Sequence, residues 1–407
     1  MTRFTPWLAA MIALLAAGCS NTPTSIGSGS GNSGGSGNSN GSGGSGSNNS
    51  GSTTGASGTI VLPNGNSGAA VVHIEDSSGN LLSSPTLKNY PASFPVTLVA
   101  EPPDFSQGLV GGGTTVQEFD TATTSPSLAG SINVYSSGSL TALSTLADSS
   151  FSFLQMTSFD SWDVLCFTGG LHNATDANGD VVLPIGTQQF TSFTSSANGT
   201  LGAEIGSNGL EVWGFGTSLS PHAITFEGLY LTAPNLTSTV QGRGAMAINP
   251  STNGQLLVGA GNQLAAYSGF SSDFPVPYGD TISIPNGATI SSVAYLPSGD
   301  AAIVATSAGF YTATINDTGS AITVTLSSSV ANPTYKGSDG NTYAVDHAQS
   351  IAITQDGKYL AVLTSQPSES SGTLVILPVS STGAVGSVGA TIPDLLATEG
   401  VDSVFAY

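Results

Sequence analysis

The chain has 407 residues, of which 7% are charged against roughly 25% in an ordinary soluble protein, and acids outnumber bases 25 to 5. Five basic side chains cannot form a stripe that follows a phosphate backbone, which argues against a nucleic-acid partner. The shortage of Glu, Lys and Arg, set against 53 glycines, likewise argues against coiled coils and helical bundles.

The first element is an apolar run over residues 4–17, preceded by the single positive charge of Arg3 and closed by Ala16-Ala17-Gly18-Cys19. A run of ~14 residues is too short to cross a bilayer as a helix and fits the core of a secretory signal. Small residues leading into a cysteine resemble the lipobox of bacterial lipoproteins. That resemblance implies a signal peptide over 1–18, lipidation of Cys19, and a chain anchored in the cell envelope with its domain outside the cytoplasm. In the lipoproteins it resembles, Ser rather than Asp after the cysteine, here Ser20, implies sorting to the outer membrane of a cell that has one. Loss of Arg3 with the signal would move the net charge from −20 to −21. Beyond the cysteine, residues 20–58 are nearly all Gly, Ser, Asn and Thr. They cannot bury enough apolar surface to offset chain entropy, so 19–58 is predicted to be a disordered tether for a domain at 59–407. Gly31-Asn32-Ser33-Gly34-Gly35 matches G-x-S-x-G by chance, because no strand or helix there can build a nucleophile elbow. With Cys19 lipidated, Cys166 has no partner for a disulfide and reads as a small buried hydrophobe.

From Thr59 onward, short apolar runs alternate with Gly, Asn, Ser and Asp turns, without a sustained helical period. That pattern predicts an all-β chain. The N-terminal half gives only fragments, 131–135 before 138–143 and 190–193 before 210–213. The C-terminal third repeats a strand, tight turn, strand, loop, strand unit three times. The units are 245–250, 255–260 and 263–267; then 292–297, 301–306 and 309–315; then 350–355, 358–364 and 372–377. Their turn glycines, Gly254, Gly299 and Gly357, stand 45 and 58 residues apart, a blade-sized period. Asn253-Gly254 and Asp356-Gly357 are expected to supply the positive φ of hairpin turns.

These units resemble β-propeller blades. Residues 351–362 are similar to the I-A-I-x-x-D-G-K-Y-L-A-V pattern of lactonase-like and YVTN-type propellers. The resemblance implies a β-propeller of four-stranded antiparallel sheets, seven at about 50 residues each, with six or eight also compatible. Residues 402–407 look like the start of one further unit. They are expected to lend the first blade its missing strand and so close the ring.

In propellers the residues just before each innermost strand face the mouth of the central channel. That rule singles out Arg243, the pair Asp346 and His347, and Glu399 with Asp402. Arg243 is the only arginine besides Arg3. With His347, Asp346 and Glu399 it makes a candidate cluster for binding an anion or for acid/base work. The plain alternative is that Arg243 is a structural partner for a carboxylate. Lactonase-like propellers handle substrate with Arg, His and Glu around the channel. Here the match is partial, since Gly244 stands where a second polar residue is often found. Asp176, Asn178 and Asp180 place oxygens at alternate positions as calcium loops do. The glycine comes too early and no Glu closes the loop, so a hairpin turn accounts for the same letters. Four scattered histidines give no zinc spacing. His172 reads as a loop residue, His222 as the start of another inner strand, and His73 as the solvent face of a strand. No cofactor is expected, a structural Ca²⁺ at 176–180 being the one alternative.

The function expected first is a monomeric, surface-tethered binder of a partner or extracellular ligand, without catalysis. Its supports are the long tether and the scarcity of reactive side chains. A secreted lactonase-like hydrolase is the alternative, and a carbohydrate-binding or adhesin-like surface the third. Fold alone does not decide between them. So few bases can accumulate little positive charge in acid, which predicts an acid-tolerant protein.

Overall fold

The structure is a computed structural model describing residues 16–18, 58–100, 108–120, 127–133, 139–145, 151–156, 162–166, 172–173, 175–176, 190–195, 201–206, 209–219, 222–233, 236, 245–252, 254–270, 278–337, 339–366, 371–395 and 405–406. Among the described residues the strands form seven antiparallel sheets of at least four strands, plus one two-stranded hairpin. The first blade pairs Phe405–Ala406 with Thr59–Pro63, then Ala69–Glu75 and Leu81–Tyr90. The second runs Leu98–Ala100, Gly108–Gly112, Thr115–Asp120, Ser127–Asn133, and the third Leu140–Thr145, Phe151–Met156, Trp162–Cys166, His172–Asn173. The fourth is Phe190–Ser195, Leu201–Gly206, Gly209–Leu219, His222–Ala233; the fifth Met246–Ile248, Leu256–Ala260, Gln263–Ser268, Tyr278–Ser283. The sixth is Ile290–Tyr295, Ala301–Thr306, Gly309–Asp317, Ile322–Leu326; the seventh Ala348–Ile353, Tyr359–Thr364, Gly372–Pro378, Ala390–Leu395.

The first strand of each blade from the second to the seventh touches the first strand of the next. Ala348–Ile353 then touches Phe405–Ala406, and Thr59–Pro63 touches Leu98–Ala100, so the circle closes. Closure rests on the register Ile60↔Ala406 and Val61↔Phe405, as the incomplete C-terminal unit predicted. The protein is a β-propeller. Ala16–Gly18 and Thr175–Asp176 add to the outer edge of the fourth sheet. That edge is the one farthest from the inner strands, so Ala16–Gly18 lies in the segment read as signal peptide without taking part in the ring.

Why these segments are strands is plain in the middle of each blade, where both faces are buried. Along Ala301–Thr306 every residue is buried. Ala302 and Val304 join a core with Leu257 and Leu264 of the fifth blade, while Ile303 and Ala305 join one with Ile351, Leu360 and Val362 of the seventh. The seventh blade does the same on its other side, where Ala361 and Leu363 meet Ile60, Leu62 and Ile74 of the first. Alternate side chains along one strand thus serve two interblade cores, each large side chain contributing about 1.5–3 kcal/mol.

Polar clamps complete the seams. Asn249, 2% exposed, donates to the Gly299 carbonyl at 2.9 Å across the fifth and sixth blades. Its Oδ1 also accepts from Ser251 N–H at 2.9 Å, which shapes the turn that follows it. This corrects one expectation: Gly299 and Gly357 take positive φ, but Gly254 does not. Between the seventh and first blades, Lys358 Nζ meets Asp356 Oδ2 at 2.7 Å and donates to the Gly79 carbonyl at 3.3 Å.

Asp317, ending the third strand of the sixth blade, accepts from Ser268 at 2.5 Å, Tyr278 at 2.7 Å, Gly319 N–H at 2.8 Å and Gln255 at 3.1 Å. Burial pushes this carboxyl up, but those hydrogen bonds outweigh it and hold it at about 2, below the ordinary 3.8. A depressed folded-state carboxyl stabilises above 3.8, and that contribution is lost only as pH falls through about 2. Asp317→Asn is therefore expected to lower the neutral melting temperature by a few degrees and to flatten the loss of stability between those two pH values. Melting curves across the acid range check it; an unchanged acid limb contradicts it.

Two N-terminal expectations are corrected. Segments 131–135 and 138–143 do not form one unit, because Ser127–Asn133 ends the second blade and Leu140–Thr145 begins the third. His222 begins the fourth strand of its blade, not an inner one, since it pairs with Gly209–Leu219 as a long hairpin.

Candidate functional site

An innermost strand is covered on one edge by its own blade and on both faces by its neighbours. Solvent therefore reaches it only from the channel or its mouths. Because strands alternate in direction, the residue before the first strand of a blade and the residue after the second share a mouth. In the seventh blade these positions are Asp346-His347, ahead of Ala348–Ile353, and Gln366, just past Tyr359–Thr364.

The structure brings these three together. His347 Nδ1 lies 2.7 Å from Asp346 Oδ1, with side chains 48% and 26% exposed respectively. Gln366, 7% exposed, donates from Nε2 to the same Oδ1 at 3.2 Å and to the Ala344 carbonyl at 2.7 Å. The His347 carbonyl is held by Thr364 Oγ1 at 3.1 Å and Ser365 N–H at 3.4 Å. A carboxylate on Nδ1 favours the tautomer that leaves Nε2 as a free lone pair at the mouth. That arrangement can take a proton from water and return it.

Four of the inner strands share one further feature. Their registers skip a residue between Leu140 and Ala142, Phe190 and Ser192, Ile290 and Ser292, and Ala348 and Ser350. The bulged residues are Thr141, Thr191, Ser291 and Gln349, all polar and all at the mouth end of their strands. Bulges at such places re-aim side chains near sites. No sequence rule flagged them, since a bulge leaves no mark in an alternating pattern. Gln366 was missed as well, although its place just after a second strand could have marked it.

Arg243, Glu399, Asp402, Asn178, Asp180 and Cys19, with the tether at 19–57, lie outside the described residues. Asp176 ends the short strand Thr175–Asp176. Among the described residues no group of three or more His, Cys, Asp and Glu is placed to hold a metal. His172, expected in a loop, sits in a short outermost strand opposite Cys166. His73 is exposed on its strand and bonds Thr59 Oγ1 at 3.1 Å.

No family model matches the chain, and no curated protein matches it in sequence. Solved structures match in fold. A periplasmic gluconolactonase of Pseudomonas aeruginosa is 12% identical, with 85% of this chain and 98% of that one covered at a TM-score of 0.57. A putative 6-phosphogluconolactonase of Bacteroides fragilis is 13% identical over 84% and 99%, at 0.54. A protein from Lactobacillus plantarum is 10% identical over 86% and 98%, at 0.56.

Proposed function

We propose that the chain is a lactonase-like hydrolase acting at the channel mouth, with His347 as general base and Asp346 holding its tautomer. The observation that carries this is the Asp346–His347 hydrogen bond ahead of an innermost strand, with the imidazole half exposed. The sequence put a binder without catalysis first, and that expectation is corrected. Two of the fold's solved examples are named for lactone hydrolysis, and the mouth carries an acid/base pair rather than inert side chains.

In the proposed reaction His347 Nε2 takes a proton from a water whose oxygen attacks the lactone carbonyl. A tetrahedral oxyanion forms, and its collapse breaks the ring C–O bond. The imidazolium returns the proton to the departing alkoxide, so one lactone and one water give one hydroxy acid. Arg243, three residues ahead of Met246–Ile248 in the sequence, is proposed to hold the oxyanion or the product carboxylate. Following acid release from a sugar lactone tests the reading. Release above the spontaneous rate is expected, and a rate equal to buffer alone overturns it.

A further inference from the structure

We propose that Gln366 is a positioning residue that locks the Asp346–His347 pair in its working tautomer; this rests on the hydrolytic reading above. Two neighbours of the Gln366 amide nitrogen, the Ala344 carbonyl and Asp346 Oδ1, can only accept, and they set the orientation of the amide. Oδ1 therefore receives two donors, Gln366 Nε2–H and His347 Nδ1–H. With Oδ1 tied from a second side, Asp346 cannot rotate away from the imidazole, and Nδ1 stays the protonated nitrogen.

The lock is itself anchored. Ala344 ends the hairpin Thr334–Lys336 and Thr342–Ala344, which stands between the sixth and seventh blades. Tyr335 of that hairpin is 3% exposed and Val345 is 0% exposed; both pack in the core with Phe310 and Val375. Gln366 thus ties a rigid insertion to the carboxylate that orients the base. An ordinary loop glutamine would be solvated, whereas this one is buried and spends its amide nitrogen on two acceptors of the site.

The test uses the full chain labelled with ¹⁵N-histidine, and reads the His347 tautomer by long-range ¹⁵N correlation in alkaline buffer. Wild type is expected to show protonated Nδ1 and bare Nε2. Gln366→Met, of similar volume but without donors, is expected to give a mixture of tautomers and a kcat lower by roughly tenfold at little-changed KM. Thr364→Val, which removes only the bond to the His347 carbonyl, is expected to cost stability and leave the tautomer unchanged. If Gln366→Met does not fold, the shorter amide of Gln366→Asn carries the same expectation. An unaltered tautomer in a folded Gln366 variant overturns the proposal, as does a shifted tautomer with unchanged kcat. Should wild type hydrolyse no lactone, the hydrolytic reading fails, and the tautomer comparison still decides whether Gln366 sets the imidazole.

Discussion

His347→Ala is expected to lower kcat for lactone hydrolysis by ~10²–10⁴-fold, the range that a positioned general base supplies. Its melting temperature should stay close to wild type. The side chain is 48% exposed and its one described partner is Asp346, so its loss leaves neither a cavity nor a buried group stranded. Asp346→Asn should fall between the two, because an amide can still accept from Nδ1 but stabilises the imidazolium less. Steady-state kinetics on the three proteins check the order. Equal rates for wild type and His347→Ala would move the chemistry elsewhere on the molecule.

Deleting residues 405–407 is expected to cost the most stability of any small change. Phe405–Ala406 is the inner strand of the first blade, and Thr59–Pro63 pairs with it at Ile60 and Val61. Without it, that edge loses its backbone partners at ~1 kcal/mol each, and the core of Ile60, Leu62 and Leu363 opens toward the channel. A loss of about 3–5 kcal/mol in a chain this size lowers the melting temperature by roughly 5 °C. An unpaired edge also invites association between chains, so light scattering should show concentration-dependent oligomers. A truncated protein that melts with wild type and stays monodisperse would mean that the ring does not depend on this strand.

The ring was legible where turns and apolar triplets are regular. Gly299 and Gly357 punctuate the sixth and seventh blades, and the partial unit at 402–407 disclosed how the circle closes. The N-terminal blades were obscure because their strands spell themselves in Gly, Ser and Thr, as in Gly108–Gly112 and Ser127–Asn133. Such strands owe their place to neighbours rather than to local propensity, so the blade boundary between Asn133 and Leu140 left no signal. At the site, Asp346 and His347 could be read from their place ahead of an inner strand. Gln366 was missed because only the residues ahead of inner strands were considered, although the residue just past a second strand reaches the same mouth. The bulges at Thr141, Thr191, Ser291 and Gln349 stayed hidden for a related reason. One extra residue in a strand is invisible until its partner strand is placed.

The most direct measurement is a crystal structure of the protein with a sugar lactam, a non-hydrolysable mimic of the lactone, bound. The account predicts the lactam carbonyl at the channel mouth of the seventh blade, with a water between its carbon and His347 Nε2. A lactam seated on an outer blade edge, or at the opposite end of the ring beside Asp317, would contradict it.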